Sequence, residues 1–172
     1  MTAPDELHEM RRPQVEKVVV HMNVGEGGRE LQNAESIVAE ITGQQPVRTE
    51  AVQSEPDFDI RRGDPIGCKV TLRGGDAEAF LEEALDIVGG VDRSQFDEYG
   101  NVSFGVQEHT DFEAMEYDPE IGIYGMDVTV TLARKGKRVE RRGQMARDLP
   151  ERQRLDAEDA YDYVTERFEV EK

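Results

Sequence analysis

The chain has no tryptophan, one cysteine and only 5 lysines beside 16 arginines. Cys68 alone cannot form an intramolecular disulfide, so a secreted disulfide scaffold and a cysteine-based zinc site are both excluded. No stretch approaches the ~20 apolar residues of a membrane span. Met1 to Arg12 lacks the apolar segment of a signal peptide. A cytoplasmic protein with no membrane partner is therefore the expectation. Without tryptophan, the 37% of hydrophobic residues must build a core from Val, Ile, Leu, Ala and a few Phe. Positive charge is scarce as well: 38 acidic side chains face 21 basic ones, a net −17 over 172 residues. Taken alone, that charge argues against a nucleic-acid binder, which normally shows a basic footprint.

High net charge can signal disorder. Here apolar periodicity runs through most of the sequence, so residues 1–172 read as one folded domain with an acid-coated surface. Such a surface repels itself in dilute buffer and is screened in concentrated salt, where the Debye length falls to about 3 Å at 1 M. The composition points to a cytoplasm rich in salt.

Val18, Val20, Met22 and Val24 alternate with Val19, His21 and Asn23, predicting a strand over 15–24. The glycine-rich turn Gly25–Gly28 follows. Leu31, Ala34, Ile37, Val38 and Ile41 then recur at helical spacing, up to a stop at Gly43. A short strand is predicted over 46–52. Residues 53–67 hold two prolines and three aspartates with Phe58 and Ile60 isolated, and read as a long mobile loop. Cys68, Val70 and Leu72 mark a third strand and place Cys68 in the core. Asp76 is a candidate cap for a helix carrying Phe80, Leu81, Ala84, Leu85 and Val88, which ends at Gly89-Gly90. Two more strands are expected over 101–107 and 126–133, and a last helix over 156–168 buries Ala160, Tyr163, Val164 and Phe168. This order predicts an α+β fold, a mostly antiparallel sheet with helices on one face and an open second face.

The open face would carry His21, Asn23, Lys69, Thr71, Arg73, Ser103, Gln107, Thr129 and Thr131. These are hydrogen-bonding groups with almost no acid, on a chain that puts acid nearly everywhere else. Residues 134–147 (RKGKRVERRGQMAR) hold seven basic residues and one acidic, a local +6, so the other 158 residues carry −23. Such a run, within a basic extension over about 134–150, is a candidate phosphate-contacting segment.

Other motifs carry less. The VGEGG turn between strand and helix could serve a halophilic nucleotide-binding enzyme. However, a dinucleotide fingerprint needs a small residue where Glu30 stands. The same glycines would also let a phosphodiester backbone approach closely near a helix N-terminus. His109, Asp111 and Glu113 alternate as potential metal ligands, but in so acidic a chain such runs arise by chance. No catalytic constellation and no cofactor or metal site emerges, and an enzyme is not expected.

Five separated motifs resemble one family in order: VEKVVVHMNVGEGG, ITGQQPVRTEAVQS, FDIRRGDPIGCKVTLRG, GNVSFGVQEH and YDPEIGIYGMDVTVTLARKGKRVERR. That family is the large-subunit ribosomal protein that binds 5S rRNA, the L-five family, in its archaeal form. The resemblance covers roughly residues 13–147. It implies a cytoplasmic, ribosome-bound structural protein that holds 5S rRNA and helps attach it to 23S rRNA in the central protuberance, among neighbouring large-subunit proteins. It also implies a loop reaching toward the P-site tRNA and a bridge to a small-subunit head protein of the S-thirteen family. The rRNA-facing positions carried over from the family are His21, Asn23, Gln44, Thr71 and Arg73; the open face adds Lys69 and Ser103, and the glycine turn adds Gly25 and Gly27. The basic segment adds Arg134, Lys135, Lys137, Arg138, Arg141 and Arg142. In the tRNA-facing loop, Phe58, Ile60, Arg61 and Gly63 correspond and Arg62 is the further candidate contact, while Glu50 and Val52 stand where the family carries basic residues.

Overall fold

The structure, a computed structural model, describes residues 8–168. The alternating segments form β1 (Pro13–Asn23), β2 (Val47–Glu50), β3 (Pro65–Leu72), β4 (Asn101–Val106) and β5 (Met126–Arg134). They join one five-stranded sheet in the order β2-β3-β1-β5-β4. Every neighbouring pair is antiparallel. The helices are α1 (Arg29–Thr42), α2 (Gly75–Val88), a single turn α3 (Arg138–Arg141), and α4 (Ala157–Arg167). The architecture is the expected α+β class.

The core lies between one sheet face and the helices. Val18, Val20 and Met22 of β1 are buried beside Cys68, Val70 and Leu72 of β3. Val102 and Phe104 of β4 and Val128 and Val130 of β5 complete the layer. Leu31, Ala34, Ile37 and Val38 are the buried stripe of α1, at the spacing that one helix face requires. Cys68 is fully buried, as expected. Burial, and secondarily the nearby Glu35 charge, push its thiol pKa up to about 11.

Several boundaries differ from the sequence reading. Asp76 does not cap α2: the helix starts at Gly75, and its N-cap is Gly74 at φ 64°, ψ −139°, a conformation open chiefly to glycine. Asp76 lies in the first helical turn, where its charge still complements the helix dipole. Asp156, by contrast, does cap α4, accepting from the Asp159 amide at 2.8 Å. Pro65 to Gly67 belong to β3, and the preceding excursion is internally bonded. Ala51 and Asp64 close its base at 2.9 Å, Glu55 and Ile60 bond each other twice, and Arg62 N donates to Ser54 Oγ at 2.9 Å. Thr131, expected on the open face, is buried, in a row whose other members, Lys17 and Asn101, are themselves half-buried. Among the described residues no helix is long and apolar enough to cross a membrane.

Candidate nucleic-acid interface

In an antiparallel pair, directly opposed residues share a face. The registers therefore line up the open face in rows across the strands. One row runs Val47, Lys69, His21, Asp127, Gly105 across all five strands. The next runs Thr71, Val19, Thr129, Ser103. Ser103 Oγ donates to Thr129 Oγ1 at 3.2 Å, tying that row together. His21, Asn23, Lys69, Thr71 and Ser103 thus share one surface, as the alternation predicted. Asp127 is an exposed acid on that face, outside the predicted set.

At the end of the face where β1 finishes, His21, Asn23, Gln107 and Asp127 ring a groove of about 310 Å³. Gly105 and Gly125 also line it. A Cβ on Gly105 would meet nothing closer than 3.9 Å, so the space above the strand is open to a ligand. A glycine inside a strand is the sequence signal for such an approach, and it could have pointed to Gly105, which the sequence reading passed over. Beside the groove, Asn23 pairs with Gly67 of β3. An added Cβ on Gly67 would sit 2.6 Å from the Met22 carbonyl and 2.7 Å from Asn23 Oδ1. The bare Gly67 is what lets the Asn23 amide lie where it does.

Gly25 and Gly28 take φ values of 86° and 108°, which favour glycine, and Gly28 is the N-cap of α1. Gly27 is held differently: an added Cβ would press on Pro65 at 3.3 Å. Gln44 is exposed just beyond the left-handed stop at Gly43, whose φ is 64°. In the excursion after β2, Phe58 is exposed, Ile60 is half-buried and Gly63 has φ 90°. The Arg61 amide bonds Asp64 Oδ2 at 2.8 Å. Phe58, Arg61 and Arg62 are all exposed, and among the described residues the two guanidinium groups have no partner.

The expected rRNA residues do not form one patch. The groove, the glycine turn and the excursion lie where β1 ends. The basic segment leaves β5 at Arg134, paired with Pro13 at the start of β1. The ten residue steps from Pro13 to Asn23 separate these two groups by roughly 30 Å.

The basic segment also needs correction. Arg134, expected to contact RNA, is buried and engaged within the fold. Its guanidinium donates to the carbonyls of Arg11, Arg152 and Arg154 at 2.9, 3.2 and 2.8 Å, and pairs with Asp159 at 2.6 Å. Lys135 pairs with Glu9, and Lys137 and Arg141 both reach Glu16. Arg142 donates twice to the Met145 carbonyl, at 2.8 and 2.6 Å. Arg73, just past β3, donates to the Glu16 carbonyl at 3.3 Å. A linear count of charge could not show these pairings.

His109 is buried, and its Nδ1 accepts from the Tyr124 amide at 3.2 Å, which gives it a structural place. Among the described residues no group of three or more potential ligands could hold a metal ion.

Comparison with known proteins identifies the family. Residues 8–61 match the family described as ribosomal protein L5, and residues 65–157 match the C-terminal region of the same ribosomal family. The chain is 55% identical over 158 residues to the large ribosomal subunit protein uL5 of Methanoculleus marisnigri, covering 91% of this chain and 95% of that one. It is 52% identical over 163 residues to the same-named protein of Methanoregula boonei, covering 94% and 99%. With that of Methanococcoides burtonii the identity is 53% over 163 residues, covering 94% and 96%. The nucleotide-dependent enzyme considered for the glycine turn is thereby set aside, and the cytoplasmic ribosome is the chain's place of work. This chain belongs to the L5 family of large-subunit ribosomal proteins, structural components of the ribosome and not enzymes.

Proposed function

We propose that this protein holds 5S rRNA against its open sheet face and helps attach it to 23S rRNA in the central protuberance. The observation that carries this reading is the groove of His21, Asn23 and Gln107 over the bare strand at Gly105. It offers donors and acceptors of several kinds over an open strand, and the Asp127 carboxylate on its rim suits ribose hydroxyls and base amino groups rather than phosphate. Uncharged amides and hydroxyls such as Asn23, Thr71 and Ser103 suit RNA, where 2′-hydroxyls and unstacked base edges are bonded directly. They suit a salty cytoplasm too, because counterion release contributes little affinity there. Glycines at the turn permit close backbone approach, and an exposed arginine such as Arg61 offers a planar fork that binds phosphate bidentately and stacks on bases.

The excursion between β2 and β3 would reach toward the elbow of the P-site tRNA, with Phe58 stacking and Arg61 and Arg62 at phosphates. Another edge would meet a small-subunit head protein of the S-thirteen family and neighbouring proteins of the protuberance.

Filter binding of 5S rRNA in molar potassium chloride tests the sheet-face reading. Thr71→Ala combined with Gln44→Ala removes two exposed hydrogen-bonding groups. It should weaken binding by about tenfold or more with the thermal transition unchanged. Unchanged affinity here and in Asn23→Ala with Gln107→Ala, which strips the groove, would remove the sheet face as the binding surface.

A further inference from the structure

The basic segment contains more positive charge than it presents. Glu16 sits at a bulge in β1: Val15 opposes Leu132 and Lys17 opposes Thr131, leaving Glu16 without a partner in β5. A bulge re-aims the side chain of its extra residue. The Glu16 carboxylate takes Arg141 Nη1 at one oxygen, and Lys137 Nζ lies 3.4 Å from the other. The Glu16 carbonyl takes Arg73. Lys137 and Arg141 are four residues apart and so face the same way on the turn of α3.

The Glu16 oxygen nearest Lys137 is shut off from solvent and accepts no hydrogen bond. Withdrawing the two cations would leave that carboxylate partly buried and uncompensated, which is costly. Lys137 and Arg141 are therefore poor candidates to swing out to a phosphate. Arg134, Lys135 and Arg142 are held by Asp159, Glu9 and the Met145 carbonyl. Arg147 N closes the segment back on the Val139 carbonyl at 3.2 Å. Of the seven cations, Arg138 and Arg147 are exposed and have no side-chain partner among the described residues.

We propose that Glu16 is a positioning residue that fastens the segment after β5 into a preformed platform, whose outward RNA contacts are Arg138 and Arg147. The proposal rests on the RNA-binding reading above and divides the basic run into internal clamps and contacts. A platform ordered before binding loses less conformational entropy on binding. That matters most where salt has removed the counterion term.

Two measurements on the full chain test it separately. In the first, without RNA, tryptic cleavage within 138–147 is followed in the wild type, Glu16→Gln and Glu16→Asp. Glu16→Gln should speed cleavage about tenfold or more, and Glu16→Asp should restore part of the protection. Should Glu16→Gln not fold, Lys137→Ala with Arg141→Ala reads the same fastening from the other side, followed at the sites after Arg138, Arg142 and Arg147 that it keeps. Unchanged cleavage in the variant that folds overturns the fastening. In the second, binding to deproteinised large-subunit rRNA is measured across roughly 0.1 to 1 M potassium chloride. Arg138→Ala with Arg147→Ala should lower the salt slope by about 1.4 to 1.8, the share of two phosphate contacts. An unchanged slope overturns their role as contacts. If the wild type itself does not bind rRNA, the proposed function and the contact assignment both fail, while the cleavage result still decides the fastening.

Discussion

Arg134 and Asp159 meet 2.6 Å apart, Nη2 to Oδ2, across the junction of β5 and α4. The arginine side chain is 8% exposed and the aspartate 44%. The same guanidinium gathers three carbonyls, from Arg11 ahead of β1 and from Arg152 and Arg154 ahead of α4. One side chain thus ties the N-terminal segment, the end of the sheet and the last helix together. Arg134→Ala leaves all four acceptors without their donor. The expected loss is about 3 kcal/mol, read from urea unfolding midpoints. Arg134→Lys keeps the charge but not the fork, and should recover less than half of that loss. A change below about 0.5 kcal/mol for Arg134→Ala would show that the junction is held by packing alone.

Gly67→Ala tests the close approach beneath the groove. Its Cβ would stand 2.6 Å from the Met22 carbonyl, 2.7 Å from Asn23 Oδ1 and 3.1 Å from Thr49 Oγ1. Backbone in the neighbouring strand cannot rotate away, so β1 and β3 must splay or Asn23 must leave. We expect about 1–3 kcal/mol of destabilisation. Affinity for 5S rRNA should fall further than stability alone explains, because Asn23 rims the groove. Wild-type stability in Gly67→Ala would mean that β3 shifts freely at this point.

These two sites show where the sequence was legible and where it was not. The alternation Val18, Val20, Met22 against Val19, His21, Asn23 is a local signal, and it located β1 and the open face. Gly43 and Gly89, with φ of 64° and 76°, ended α1 and α2 where the helical spacing stopped. Long-range pairing was out of reach. Nothing near position 134 tells that its acceptors lie 123, 18, 20 and 25 residues away. The bulge at Glu16 exists only as a relation between β1 and β5, so its capture of Lys137 and Arg141 could not be read along the chain. Asp76 misled because a capping residue and a first-turn acid look alike when the glycine before them takes the cap conformation.

Cys68 gives a prediction in alkali. Its thiol pKa is pushed up to about 11 by burial first and by the Glu35 charge second. In the unfolded chain the thiol ionises near its ordinary value of about 8.5. Between these values the native state holds a proton that the unfolded state has released, so stability falls as pH rises. The contribution is intact below about pH 8.5 and is lost as pH climbs through about 11. Cys68→Ala should flatten that part of the stability profile. In the wild type at about pH 8, below the ordinary thiol pKa, iodoacetamide should label Cys68 only after denaturant is added. Rapid labelling of the native protein would contradict its burial.

The −17 charge carries a last prediction, and α2 shows how it acts. Glu78, Glu82 and Asp86 follow one another at four-residue spacing, so like charges stack along one helix face. Glu78 is relieved by Arg167 at 3.5 Å, and among the described residues Glu82 and Asp86 have no ion-pair partner. In dilute buffer each such pair costs a few tenths of a kcal/mol. Salt removes that cost once the Debye length, about 10 Å at 0.1 M and 3 Å at 1 M, drops below the spacing of the charges. The melting temperature should therefore rise with potassium chloride, most steeply below about 1 M, and by several degrees overall at about 2–4 °C per kcal/mol. Glu82→Gln with Asp86→Asn should raise the melting temperature in dilute buffer and reduce the gain from salt, which assigns the effect to repulsion on this face. A protein equally stable with and without salt would show that its acid is already balanced, and the reading of its composition as an adaptation to a salty cytoplasm would fall.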